Sequence, residues 1–147
     1  MALSKLDQLY RQVILDHSSH PHHYGTLEEE TDALELNNPT CGDVIQIQWK
    51  MKDGVISDIA FEGEGCSISK ASASMMCDVL IGKTLPEAEA LLEDFLSLVQ
   101  GQEVENEELE DAQLLSGVSK FPARVKCATL AWKAVESMIE KNKEGKE

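Results

Sequence analysis

The sequence predicts an α+β fold: a small antiparallel three-stranded sheet packed with about four to five helices on one side. Three observations carry this. Residues 44–52 alternate cleanly, with Ile45, Ile47, Trp49 and Met51 on one face and Gln46, Gln48, Lys50 and Lys52 on the other. That period of two marks a half-buried strand. Asp53-Gly54 follows at once, a dipeptide favoured in two-residue hairpins, and VISDIAFE (residues 55–62) supplies the antiparallel return. Around this hairpin lie stretches with helical rather than strand signals.

Taken in order, Ser4 is placed to cap a first helix running to about His17. Leu6, Leu9, Tyr10, Val13 and Ile14 form its apolar stripe. Pro21 and Gly25 end that region, and DALEL (residues 32–36) reads as a short third strand. After the hairpin, GEGC breaks the sheet, and the small residues from Ser67 to Leu80 predict a helix in close contact with a neighbour. Thr84 followed by Glu87 fits a capping box for a helix through about Val99. The acidic stretch 103–111 reads as a solvated loop or short helix. A last helix, roughly Ala123 to Lys141, carries Cys127, Leu130, Ala131, Ala134 and Met138 on neighbouring turns, and Trp49 and Trp132 read as core.

The 147 residues are one domain's length, and no repeat or linker divides residues 1–147. A hydrophobic content of 42% fits a globular chain. Thirteen basic against 27 acidic residues give a formal charge of −14. This excludes a basic stripe for nucleic acid and disfavours an anionic membrane surface. Protein partners are expected instead, steered by charge. No apolar run approaches a membrane span, and MALSKLDQLYRQ shows no signal-type hydrophobic region, so the expectation is a cytoplasmic protein.

In that compartment the cysteines at 41, 66, 77 and 127 point to metal or thiol chemistry rather than disulfides. Three sit near element boundaries: Cys41 before the first long strand, Cys66 after Gly65 at a helix start, and Cys127 in about the first turn of the last helix. Helix N-termini favour a thiolate, the form that binds metal. With Asp43 these three would make a site of three sulfurs and one oxygen, within zinc's tetrahedral repertoire. Residues two apart in an extended segment share a side, and Gly42 lets the backbone bend around an ion. Three thiolates, a carboxylate and a divalent ion sum to −2, for which Arg124 and Lys126 are the nearby positive charges. The gaps of 24 and 60 intervening residues do not themselves demand a site. Small buried hydrophobes remain the other reading of these cysteines.

NPTCGD, GEGCSISKASAS and PARVKCATLAW, with DHSSHPHHYG near the N-terminus, resemble in order the U-type iron–sulfur cluster assembly proteins, the family of IscU-like and NifU N-terminal-like domains. The resemblance covers most of the chain and implies a fold of the SufE/NifU-like kind. Lys126 stands where the scaffold branch usually has a histidine, SKFPARVKC lacks that branch's paired-proline chaperone motif, and the stretch between Cys66 and Cys127 looks longer. All three departures are similar to the SufU branch. That branch implies a zinc-dependent sulfurtransferase that accepts persulfide sulfur from a cysteine desulfurase and passes it to downstream cluster scaffold proteins. Cys41, Asp43, Cys66 and Cys127 are then the implied zinc ligands and Cys41 the sulfur acceptor. A desulfurase side chain is implied to take the zinc and free Cys41 to attack, with Arg124 assisting or docking.

Two further readings use the same residues. In one, Cys41, Asp43, Cys66 and Cys127 hold iron as a transient [2Fe–2S] cluster on a scaffold. In the other, zinc only stabilises an interaction module without chemistry. His17, His20, His22 and His23 lack the fixed spacing of a helical ligand pair and read as loop structure or partner contact. Cys77, eleven residues past Cys66 on one helix, is about three turns away and reads as a buried structural thiol.

Overall fold

A computed structural model describes residues 5–27, 32–38, 42–102, 104, 106, 108–109, 112–113, 115 and 122–144, the side chains of 5–10, 32, 38, 122 and 142–144 apart. Its elements run α1 (Lys5–Ser19), β1 (Asp32–Asn38), β2 (Asp43–Lys52), β3 (Val55–Glu64), α2 (Ser67–Leu80), α3 (Leu85–Val99) and α4 (Pro122–Glu144). The expected α+β architecture is the one observed, with four helices among the described residues. The cap expected at Ser4 lies outside those residues. Of the first helix's stripe, Ile14 is buried and Val13 packs against the core.

The sheet has the order β1-β2-β3, antiparallel throughout. Asp53 and Gly54 both take positive φ (55° and 79°) and Lys52 pairs with Val55. This is the two-residue turn whose twist matches the strands it joins. Ile45, Ile47 and Trp49 are at most 1% exposed, and each faces a residue of β3 across the ladder: Gly63, Phe61 and Ile59. A register shift between Lys50 and Met51 then brings Ile56 onto the buried side as well.

The opposite face of β2 departs from the expected exposed row at one position. Gln48 is buried, and its Oε1 accepts the Leu27 N–H at 2.8 Å. The incoming chain therefore covers that face locally. The outer edge of β3 is covered too. Phe61 exchanges backbone bonds with His23 and Gly25, while Ile56 does so with Gly82 and Lys83. These two bridges occupy parts of the edge that a foreign strand would otherwise use.

α2 forms the centre of the helical layer, against α1 on one side and α4 on the other. Ala71, Ser72, Ala73 and Ser74 are fully buried, which is why small residues fill this helix. Their hydroxyls are satisfied across the interface. The Ser72 hydroxyl donates to the Ala128 carbonyl and accepts the Trp132 indole N–H at 2.8 Å. Trp132 also stacks on Phe95, ring centres 3.9 Å apart, fixing α3 to α4. Cys77 is fully buried, and burial pushes its thiol pKa up, as an inert structural cysteine requires.

The acidic stretch 103–111 and the residues just after it contribute to the core. Leu109, Ala112 and Leu115 are fully buried, and 108–109 and 112–113 are short 3₁₀ turns. Asn106 steers this segment by donating to the Asp94 carboxylate at 2.6 Å. No helix among the described residues is long and apolar enough to cross a membrane.

The capping box on α3 is complete: Thr84 Oγ1 accepts the Glu87 N–H, and the Glu87 carboxylate accepts the Thr84 N–H at 3.0 Å. The Thr84 N–H and the Thr84 hydroxyl, both donating to that carboxylate, hold the Glu87 carboxyl below its ordinary pKa. Thr84→Ala is expected to cost about 1 kcal/mol, lowering the melting temperature by about 2–4 °C in a thermal scan. An unchanged midpoint would mean that tertiary packing alone sets this helix start.

Candidate metal centre

Asp43 opens β2, and counting the strand's alternation back from Trp49, Ile47 and Ile45 puts it on the same inward face. It is fully buried. Its Oδ1 accepts the Cys66 N–H at 2.9 Å. Its Oδ2 has no hydrogen-bond partner among the described residues. A buried carboxylate oxygen left in that state costs free energy unless something positive meets it.

Cys66 is the N-cap of α2, with β-region backbone angles, and its sulfur accepts the Ser69 N–H at 3.4 Å. The helix start thus aims its free N–H groups at the thiol. Cys66 is itself exposed. Gly65 makes the approach possible. A Cβ there would lie 2.7 Å from Asp43 Oδ1 and 3.2 Å from the Ser69 Cβ, too close without movement.

Cys127 is 4% exposed and comes from α4. It is the sixth residue of that helix, in its second turn, because α4 begins at Pro122, one residue before the expected start. It therefore reaches the site from the helix side rather than from the free amides of the helix end. The Ser72 bridge between α2 and α4 fixes the spacing of the elements that carry Cys66 and Cys127. One donor atom from each of Asp43, Cys66 and Cys127 lies within 4.8 Å of the others.

Two sulfurs and an otherwise unsatisfied buried carboxylate oxygen converge on one point from three elements. Thiolate and carboxylate are both zinc donors, and thiolates also hold iron–sulfur clusters. The residues present therefore fit a metal, on the orphaned oxygen and on the chemistry of the set. Cys41 lies outside the described residues. Gly42 has φ +73°, so the backbone bends at this glycine just before β2, in keeping with the bend expected there. Arg124 and Lys126 are exposed on the first turns of α4 close to Cys127 in sequence, with Arg124 one turn before it on the same face.

The chain matches the family described as NifU-like N terminal domain over residues 9–146. It belongs to that family. The resemblance to U-type assembly proteins is thereby borne out. Among relatives of this NifU-like domain, the iron–sulfur cluster assembly scaffold protein IscU of Streptococcus pyogenes is 54% identical over 97% of the chain and 89% of its own length. The zinc-dependent sulfurtransferase SufU of Bacillus subtilis is 47% identical over 97% of both. The crystal structure described as a putative SUF-system scaffold from Fervidobacterium islandicum superposes with a TM-score of 0.82 at 32% identity, covering 88% of this NifU-like domain and 95% of that chain.

Proposed function

We propose that this NifU-like domain is a zinc-dependent sulfurtransferase of iron–sulfur cluster biogenesis, receiving sulfur from the persulfide of a cysteine desulfurase. The observation that carries the reading is the buried Asp43 Oδ2, without a hydrogen-bond partner among the described residues, beside Cys66 and Cys127. Cys41, Asp43, Cys66 and Cys127 hold the zinc in this reading. Zinc, when bound, keeps its cysteine ligands ionised at neutral pH and ties β2, α2 and α4 together. The name and full-length similarity of the Bacillus subtilis relative support the assignment.

Cys41 is the acceptor. Its thiolate attacks the terminal sulfur of the desulfurase persulfide, forming a Cys41 S–S bond as the desulfurase S–S bond breaks. The electron pair leaves on the desulfurase cysteine, so no external oxidant or reductant is needed. Gly42, with its left-handed φ, turns the backbone immediately ahead of β2. Arg124 and Lys126 supply positive charge beside a site that is otherwise anionic. The partners are the desulfurase and the scaffold proteins that take the sulfur onward.

The similarity to the Streptococcus pyogenes protein favours a second reading, a scaffold holding a transient [2Fe–2S] cluster on the same ligands. Zinc, iron and acid-labile sulfide measured together on anaerobically purified protein separate the two. One zinc with little iron or sulfide is expected; iron with matching sulfide would move the assignment to the scaffold. Cys41→Ala is expected to reduce persulfide acceptance from a desulfurase to background, read by mass spectrometry as the loss of a single added sulfur. Undiminished transfer would remove Cys41 from the acceptor role.

A further inference from the structure

A second group of donors lies at the other end of α2. Asp78, near the helix C-terminus, bonds two imidazoles at once: His22 Nδ1 is 2.6 Å from its Oδ2, and His23 Nε2 is 3.2 Å from its Oδ1. His17, from the last turn of α1, is 4% exposed and sets its ring centre 4.6 Å from that of His22. One hydroxyl organises both. Ser74 Oγ is 2.7 Å from His17 Nδ1 and accepts the His22 backbone N–H at 2.8 Å. One ligand atom from each of His17, His22 and Asp78 lies within 4.8 Å of the others.

His23 adds a backbone observation. Its φ is +61°, in the left-handed region a residue with a side chain seldom occupies. Such strain persists where the surroundings fix it. Here it accompanies a second imidazole on Asp78.

We propose that His17, His22 and Asp78, with His23 as an adjoining fourth donor, form a second binding site for a divalent transition-metal ion, separate from the sulfur centre. Two imidazoles and a carboxylate suit zinc, cobalt, nickel or copper rather than calcium or magnesium. Bonds of about 2.0–2.2 Å around a tetrahedral ion hold donors about 3.3–3.6 Å apart. The present spacing closes to that by small side-chain rotations, the short His22–Asp78 pair opening to admit the ion. The His22 side chain is 52% exposed and Asp78 32%, which leaves an entry path. Asp78 is twelve residues beyond Cys66, about 18 Å along the helix, so no ion is shared between the centres. An ion here would tie α1, the 20–24 turn and the end of α2 into one unit.

Hydrogen-bonded clasp and metal site make different predictions. The whole protein is first loaded with one equivalent of zinc, then titrated with cobalt(II) while visible and near-ultraviolet absorption are followed. A further equivalent of cobalt is expected, giving d–d bands without thiolate-to-cobalt charge transfer. His22→Gln keeps a side-chain donor toward Asp78, and Asp78→Asn keeps an acceptor. Each is expected to weaken this cobalt at least about 100-fold while the zinc content stays at one. Circular dichroism checks that both variants remain folded. Cobalt that appears only with thiolate charge-transfer bands, or isotherms identical in parent and both variants, would overturn the proposal.

Discussion

Asp43→Asn is expected to stabilise the metal-free protein and to weaken the zinc-loaded one. Asparagine keeps the volume of the side chain and an oxygen to accept the Cys66 N–H, now held at 2.9 Å. It removes the negative charge from a fully buried position, where Oδ2 has no partner among the described residues. Its amide has the sulfurs of Cys66 and Cys127 as neighbours, weak acceptors but a better outcome than an oxygen with no donor. Relieving such a group is worth about 1–3 kcal/mol, and about 2–4 °C of melting temperature per kcal/mol for a chain of this size. The apo form should therefore melt several degrees higher than the parent.

With zinc the sign reverses. A neutral amide is a poor substitute for a carboxylate, and losing one of the ligands should weaken zinc at least about 100-fold. At a fixed zinc concentration that removes about 2.7 kcal/mol of binding-linked stability. Calorimetric melting of both forms, with and without zinc, measures the crossing directly. A variant that binds zinc as tightly as the parent would exclude Asp43 as a ligand. An apo variant that melts lower would show that the carboxylate serves the Cys66 N–H above all.

Much of the frame around this site was legible because its signals are local. Alternation over residues 44–52, the Asp53-Gly54 turn and the Thr84/Glu87 box each lie within a few residues; the structure places the turn and the box as read, and the alternation except at Gln48. Asp43 was legible too, since the same alternation carried back one step puts it on the buried face. What sequence did not display depends on contacts between distant residues. Gln48 is buried by a backbone group 21 residues earlier, and His22 and His23 meet Asp78 across 56 and 55 residues. No local pattern announces an aspartate that collects histidines from another element. The buried Leu109, Ala112 and Leu115 were hidden differently, because a spacing of three at the end of a strongly acidic stretch resembles neither a strand nor an α-helical stripe.

Gly63→Ala is the substitution expected to damage the fold most, and it bears on the same centre. Gly63 pairs with Ile45 across the sheet and has φ +144°. A Cβ there would stand 1.9 Å from the Val44 carbonyl oxygen and 2.9 Å from its carbon. Both are backbone, so no side chain can rotate away. Gly63 cannot retreat easily either, because its carbonyl accepts the Tyr24 hydroxyl at 3.1 Å while the Tyr24 ring packs edge-on against Phe61. β2 must therefore move at Val44, one residue from Asp43, and the carboxylate moves with it. Backbone strain of about 1–3 kcal/mol adds to disrupted pairing, for a total of about 4 kcal/mol, and a fall in melting temperature of about 10 °C. Zinc retention should fall in parallel. Gly54→Ala is the matched control: its φ is also positive, at 79°, yet nothing lies within 4 Å of the added Cβ. It should show only the conformational cost, about 1–2 kcal/mol, with zinc retained. Equal losses in the two variants would mean that the left-handed backbone, and not the approach of β2, is what requires glycine at position 63.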